Sequence, residues 1–205
     1  NSFFERNRDE IVAIEGLITG TVNNLEGRNL KLTLENGSSI DCRFHSAHLT
    51  RPEDMYIDIN IRRMNANIPT LRAWLPGFVV PDNFETLGQL GFAGRVTVLL
   101  DNVITEGKLK TELGQADVSL QILDLPKGKA LTRYNGAISL DHFALGTFLG
   151  NPDYGQISLN SSVENGVGLT KSSAYANFSA DIPTFMYKGY IYENAQITGQ
   201  MAANR

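Results

Sequence analysis

The stretch that most constrains the fold runs from Leu90 to Ile122, where apolar and polar residues alternate with a period of two. Successive residues of a strand point to opposite faces of a sheet, so this alternation predicts strands with one apolar and one polar face. The apolar positions are Phe92, Gly94, Val96, Val98, Leu100, Leu109, Thr111, Leu113, Val118, Leu120 and Ile122. Because only short turns separate the three runs, the stretch predicts a β-meander.

Similar alternation recurs on both sides of this meander. It predicts strands over residues 11–22, 29–35, 39–44, 55–64 and 134–140, and then over 155–164, 173–182, 184–192 and 195–201. Asn36-Gly37 is typical of a hairpin turn, and Asn165-Gly166, Pro183 and Glu193-Asn194 are predicted to separate the last four strands. Cys42, which alternates with Ile40 and Phe44, is expected to be a small buried side chain.

Short helices interrupt the strand pattern. Residues 69–75 follow the helical period with proline in the first turn, and residues 82–88 suggest a second short helix. Asp141 is expected to cap a third helix over 142–149, which Gly150 would end.

The strand pattern also repeats on a larger scale. Gly20-Thr21-Val22, Gly94-Arg95-Val96 and Gly155-Gln156-Ile157 open three similar units, at about 11–77, 78–150 and 151–205, after a lead-in of residues 1–10. An array of strands with one apolar face must either form a sandwich or curl into a trough. Because a sandwich has no obvious place for apolar helices inserted between repeats, we expect a mainly β fold, a curled antiparallel β-meander array with two or three short helices.

Composition argues against several classes of protein. The 205 residues carry a net charge of −4 with both signs interspersed, which provides no basic surface for nucleic acid. The single cysteine rules out an internal disulfide framework and a multi-cysteine zinc site. The chain opens on an asparagine with neither a signal segment nor a membrane-spanning run, so we interpret it as a piece of a longer protein.

Candidate catalytic and metal-binding patterns are weak. His45 and His48 are three residues apart, so on a strand they would point to opposite faces. Asp58, Asp117 and Asp181 alternate with apolar residues, as solvent-facing sheet residues do. Since neither a nucleophile motif nor a phosphate-binding glycine loop is found, we expect no enzyme activity and no cofactor.

Three segments resemble the periplasmic repeat region of TamB and other AsmA-like proteins: EGKLKTELG at 106–114, LDHFALGTFLGNP at 140–152 and YKGYIYENAQITG at 187–199. The resemblance implies a β-taco, a long U-shaped sheet in the periplasm whose apolar groove shelters phospholipid acyl chains between the inner and outer membranes. It also implies flanking repeats in a longer parent chain anchored in the inner membrane. The family's other suggested role is outer-membrane protein translocation and assembly, with an assembly-type β-barrel contacted through parts outside this chain.

On this hypothesis the groove needs no chemistry, only continuous apolar cover. We predict that it is lined by Val96, Val98, Leu100, Leu109, Leu113, Val118, Leu120, Ile57, Ile59, Ile138, Leu140, Ile157, Leu159, Trp74 and Phe148.

The alternative is a secreted or surface β-rich binding or adhesion module. Tyr175, Tyr187, Tyr190 and Tyr192 could form a carbohydrate platform on an exposed sheet face. The two hypotheses differ in one respect: an open trough favours lipid, and a second sheet that seals the apolar residues favours the binding module.

Overall fold

The structure is a computed structural model that describes residues 11–74, 80–170 and 172–203. The predicted lead-in 1–10 and the end of the first predicted helix, at Leu75, lie outside the described residues.

One antiparallel sheet of eleven strands forms the body of the protein, and the strands lie in the sheet in the same order as in the sequence. Tight turns, or connections that contain short helices, join most of them, and a loop joins β9 to β10. The strands are β1 (Val12–Thr21), β2 (Asn24–Leu34), β3 (Ser39–Ala47), β4 (Tyr56–Ala66), β5 (Leu90–Leu99), β6 (Asn102–Thr111), β7 (Gly114–Leu123), β8 (Arg133–Ala144), β9 (Tyr154–Val167), β10 (Tyr175–Tyr187) and β11 (Tyr190–Ala202). The sheet is a curled half-pipe whose edges are β1 and β11, so the predicted fold class is confirmed.

The strand register places the alternating apolar residues on one face, called here the apolar face. Directly paired residues of antiparallel strands lie on the same side of a sheet. One row of such pairs crosses seven strands as Leu30, Cys42, Ile61, Gly94, Gly107, Val118 and Ile138. Within β5, β6 and β7 the predicted faces of the central meander are therefore the observed ones, whereas Leu100 and Leu113, which the alternation assigns to the same face, lie outside the strands.

The last four predicted strands are wrong in number, because three strands cover that part of the chain. Asn165-Gly166 lies inside β9, where Asn165 has a φ of 54° at a register shift against β8. Pro183 lies inside β10 at a register shift between Asp181 and Thr184, and Glu193-Asn194 lies inside β11. The turn is Lys188-Gly189, where both residues have positive φ.

Among the described residues, two α-helices and three 3₁₀ helices lie in the connections. α1 (Ile68–Trp74) and a 3₁₀ helix at Asp82–Leu87 join β4 to β5, as predicted in type and position. α2 (Leu145–Leu149) begins three residues later than predicted, and Asp141 does not cap it. The strand continues through His142, which has a φ of 47° at a register shift between Leu140 and Phe143.

The two connections that contain α-helices, β4–β5 and β8–β9, leave the same end of the strands, called here the helical margin, whereas the 3₁₀ helices at Pro52–Asp54 and Leu125–Lys127 lie at the opposite end. Phe84 and Phe148 meet edge to face with ring centroids 5.3 Å apart, and Phe148 meets Phe143 at 5.6 Å. The core there joins the helices to the apolar face and includes Ile68, Leu87, Leu90, Phe143 and Ile157. A second core cluster of Leu30, Cys42 and Ile61 lies on the sheet itself, so Cys42 is buried as expected.

Candidate functional site

The apolar face extends from β1 to β9, and its side chains follow rows that run across the strands. A second row pairs Phe44, Ile59, Val96, Thr105 and Leu120. A third row, nearer the helical margin, runs through Ile14, Leu32, Ile40, Met64, Phe92, Leu109, Ala116, Leu140 and Leu159. A fourth row, at the opposite margin, includes Ile57, Val98, Val103 and Ile122.

The depth of burial along this face shows which part is covered. Ile61 and Ile157 retain 8% exposure, whereas Leu120 and Ile138, on the same face, retain 37% and 36%. In the described residues all strands belong to one sheet, so the middle of the apolar face has no second sheet against it. Among the described residues, the helices of the helical margin cover one side of the apolar face, while Leu120 and Ile138 in its middle stay exposed; this partly open face is called here the trough.

Most of the residues predicted to line a groove lie on this face. Ile57, Ile59, Val96, Val98, Leu109, Val118, Leu140 and Leu159 are half-buried on it, Leu120 and Ile138 are exposed, and Ile157 is buried. Leu100 is not on a strand, because β5 ends at Leu99 and Leu100 has a φ of 56° in the turn that follows. Leu113 and Phe148 pack against the helical-margin core, and Trp74 lies at the end of α1.

Glycines paired with aromatic residues leave room for the aromatic rings to lie flat on the apolar face. A Cβ atom on Gly27 would lie 2.3 Å from the Phe44 ring, and one on Gly166 would lie 2.4 Å from the Tyr134 ring. Each of these glycines is directly paired with its aromatic residue, as Gly199 is with Phe178. The rings lie over the backbone of the neighbouring strand. Sequence reasoning missed these pairs because they depend on register.

The opposite face is polar and carries cross-strand ion pairs. Arg95 Nε lies 2.6 Å from Asp58 Oδ1, and Lys108 Nζ lies 2.9 Å from Asp117 Oδ1. The hydrogen bond from Arg95, assisted by one from Thr97, holds the pKa of Asp58 below its usual value. This face is solvated, as the alternation predicts.

The two edge strands are long and carry few charges. Every residue of β11 is exposed, and Glu193 is its only charged residue. On β1, Ile14 and Ile18 continue the apolar face to the edge at 63% and 54% exposure. Edge strands of this kind are templates for pairing with a further strand.

Three of the four tyrosines named above lie close together. Tyr187 pairs with Tyr190, and Tyr192 pairs with Phe185, while Tyr175 lies at the other end of β10. The cluster is therefore smaller than the predicted platform.

The residues suspected of metal binding do not converge. His45 contacts Asn24 Oδ1 through Nε2 at 3.0 Å and packs against Tyr56, and His48 lies in a turn with a φ of 54°. Among the described residues there is no group of three or more His, Cys, Asp or Glu side chains placed to hold a metal ion. Burial raises the pKa of the Cys42 thiol.

None of the described helices has the length and apolar character needed to cross a bilayer. Comparisons with protein families, with curated proteins and with solved structures found no match to this chain. The case for a function therefore depends on the trough itself.

Proposed function

We propose that the apolar face is a groove for phospholipid acyl chains and that the protein carries lipid along it, in the way the resemblance to TamB and AsmA-like proteins implies. The observation that carries the proposal is the set of apolar residues across consecutive strands, over which the described residues place no second sheet.

An apolar surface of this kind suits a sliding hydrocarbon chain. Each methylene group removed from water contributes about 0.8 kcal/mol, and it contributes this at every position along a continuous apolar path. The chain can therefore advance from Val98 over Val103 to Ile122 without a step that exposes it. Such transport needs neither a catalytic residue nor a cofactor, in line with the proposal that the protein is not an enzyme.

The sheet spans part of the distance between two membranes. Ten strand-to-strand steps at about 4.8 Å place its edges roughly 48 Å apart. The exposed edges β1 and β11 support the further proposal that strands of flanking repeats continue the groove in a periplasmic parent chain. A role in outer-membrane protein assembly would use the same edges.

The experiment compares two neighbouring residues of β7 that point to opposite faces. Val118→Arg places a charge on the apolar face, and Ser119→Arg places the same charge on the polar face opposite Glu106. Each purified protein is incubated with phospholipid vesicles and separated from them by flotation, and the phospholipid that remains bound is counted by mass spectrometry.

We expect Val118→Arg to lower bound phospholipid about fifteenfold, since lost contact with two methylene groups removes about 1.6 kcal/mol. Ser119→Arg should bind as much as the parent protein. Equal binding by the two variants, or no phospholipid on the parent protein, would contradict the proposal.

The binding-module alternative draws on one observation, the tyrosine cluster at the β10–β11 hairpin. Tyr154 and Tyr187 have ring centroids 5.3 Å apart, and Tyr190 is 73% exposed. Binding of oligosaccharides that Tyr190→Ala abolishes would favour that alternative.

A further inference from the structure

We infer that a binding pocket for the methyl end of an acyl chain opens off the groove, between α1 and the first four strands. This inference depends on the proposed function and adds a defined site to it. The pocket has a volume of about 200 Å³ and is lined by apolar side chains that include Leu34, Ile40, Met64, Leu71 and Trp74.

The pocket is continuous with the groove. Its floor contains Leu32, Ile40 and Met64, and the same cross-strand row continues to Phe92, which packs with Val96 around one core cluster. An acyl chain that passes from Val96 over Phe92 and Met64 therefore reaches the pocket without leaving apolar surface.

The polar groups at the pocket rim bond to one another. Ser38 Oγ lies 3.3 Å from Thr70 Oγ1, Asn36 Nδ2 donates to the same hydroxyl at 3.0 Å, and Asn67 Oδ1 accepts from Thr70 N at 2.9 Å. Ser38 and Thr70 are both buried. These bonds hold α1 against the β2–β3 turn and use the rim hydroxyls, so the pocket offers little to a polar ligand.

The size of the pocket is appropriate for the end of a chain. A methylene group has about the size of a water molecule, about 30 Å³, so 200 Å³ holds six or seven such groups. A whole phospholipid would therefore leave its headgroup and most of its chain length in the open groove.

Trp74 reports on this pocket without a label, because it is the only tryptophan in the chain. Bromine quenches tryptophan emission at short range. The probe is a vesicle of phosphatidylcholine whose acyl chain carries bromine either near its methyl end or near its headgroup. We expect bromine near the methyl end to quench Trp74 at least twofold more strongly.

Two variants localise the effect. Leu34→Phe fills the pocket, whereas Val103→Phe adds the same ring to the apolar face at the opposite margin. We expect Leu34→Phe to abolish the difference in quenching and Val103→Phe to preserve it. Circular dichroism and the thermal unfolding midpoint verify that both variants fold.

The count of bound phospholipid separates this inference from the function on which it depends. Phospholipid on the protein without quenching of Trp74 would overturn the pocket and leave the groove. Equal quenching by both bromine positions, or quenching unaltered in Leu34→Phe, would also overturn the pocket. Trp74 emission that is unaffected by brominated lipid and shifts to shorter wavelength as the protein concentration rises would assign the pocket to a second copy of the chain. That result would overturn the acyl-chain inference. If the protein binds no phospholipid and Trp74 is not quenched, both proposals are contradicted.

Discussion

Truncating Ile61 and Leu120 to alanine tests whether the apolar face is open in its middle. The two side chains lie on the same face, in adjacent rows, and differ mainly in cover. Ile61 is 8% exposed and packs with Leu30 and Cys42, whereas Leu120 is 37% exposed opposite Gly136.

Exposure sets the expected difference in the free energy of unfolding. Either substitution removes about three methyl or methylene groups, worth about 2.4 kcal/mol if they are fully buried. For Ile61→Ala, the cavity left among Leu30 and Cys42 adds to this, giving about 3 kcal/mol. For Leu120→Ala, only about two thirds of the group is buried and the space opens to water, so we expect about 1.5 kcal/mol.

Urea unfolding followed by circular dichroism measures both values. It should be run at a concentration where size-exclusion chromatography gives a monomer, so that no second copy covers the face. A loss for Leu120→Ala that equals the loss for Ile61→Ala within about 0.5 kcal/mol would mean that the middle of the face is sealed, and the open-trough interpretation would be refuted.

Three more substitutions test local features. Gly27→Ala displaces the Phe44 ring and should reduce stability by about 1 to 3 kcal/mol in urea unfolding. Ser46→Ala removes a buried hydroxyl that has no hydrogen-bond partner among the described residues, so stability should stay the same or rise. In the β7–β8 connection, hydrogen bonds from Lys127 and Arg133 lower the pKa of Asp124. Its charge therefore stabilises the fold above about pH 3.9 and ceases to do so as the pH falls through the lowered value. Asp124→Asn should reduce stability at pH 7, and the difference should narrow toward pH 3.

Each of these has a control or an outcome that would contradict it. Gly91→Ala is the control for Gly27→Ala, because a Cβ atom at Gly91 has no neighbour closer than 3.7 Å, and it should stabilise the fold by about 0.4 to 1 kcal/mol. If Gly91→Ala reduces stability as much as Gly27→Ala does, the clash with the Phe44 ring is not the cause. A clear loss for Ser46→Ala would show that its hydroxyl has a partner. Glu193→Gln, on the exposed edge strand, is the control for Asp124→Asn, and a difference from wild type that stays constant between pH 7 and pH 3 would contradict the ion-pair account.

The sequence predicted the sheet and its faces because alternation depends only on neighbours along the chain. Val96 and Val98 on β5 and Val118 and Leu120 on β7 share a face with period two, and register then aligns them across strands. The helices at α1 and at 82–87 were predictable from Pro69 and from the change of period.

The strand boundaries were predicted wrongly where the same residue types occur both in hairpin turns and in irregularities within strands. A residue with positive φ forms either a hairpin turn or a bulge, and Asn165 and Asn194 form irregularities within long strands. Pro183 stays in a strand because a register shift leaves no ladder hydrogen bond for it to donate. His142 also has a positive φ at an irregularity within a strand, so the strand continues past it and α2 begins only at Leu145.

The candidate site was predicted in part. The lining residues on the strands follow from alternation, but Leu100 was misplaced because its left-handed backbone lies in a turn. The pocket beneath α1 depends on how the helix docks through Asn36, Ser38 and Thr70, which are 32 or 34 residues apart. No local pattern predicts contacts over that separation.

The most direct test of the lipid groove is photocrosslinking from the two faces of the sheet. A photoreactive amino acid is placed at Val98, on the apolar face opposite Val103, or at Lys110, exposed on the polar face. Each protein is irradiated with phospholipid vesicles, and lipid adducts are quantified by mass spectrometry. The groove predicts adducts at Val98 at least tenfold above those at Lys110, and equal labelling at the two positions would contradict it.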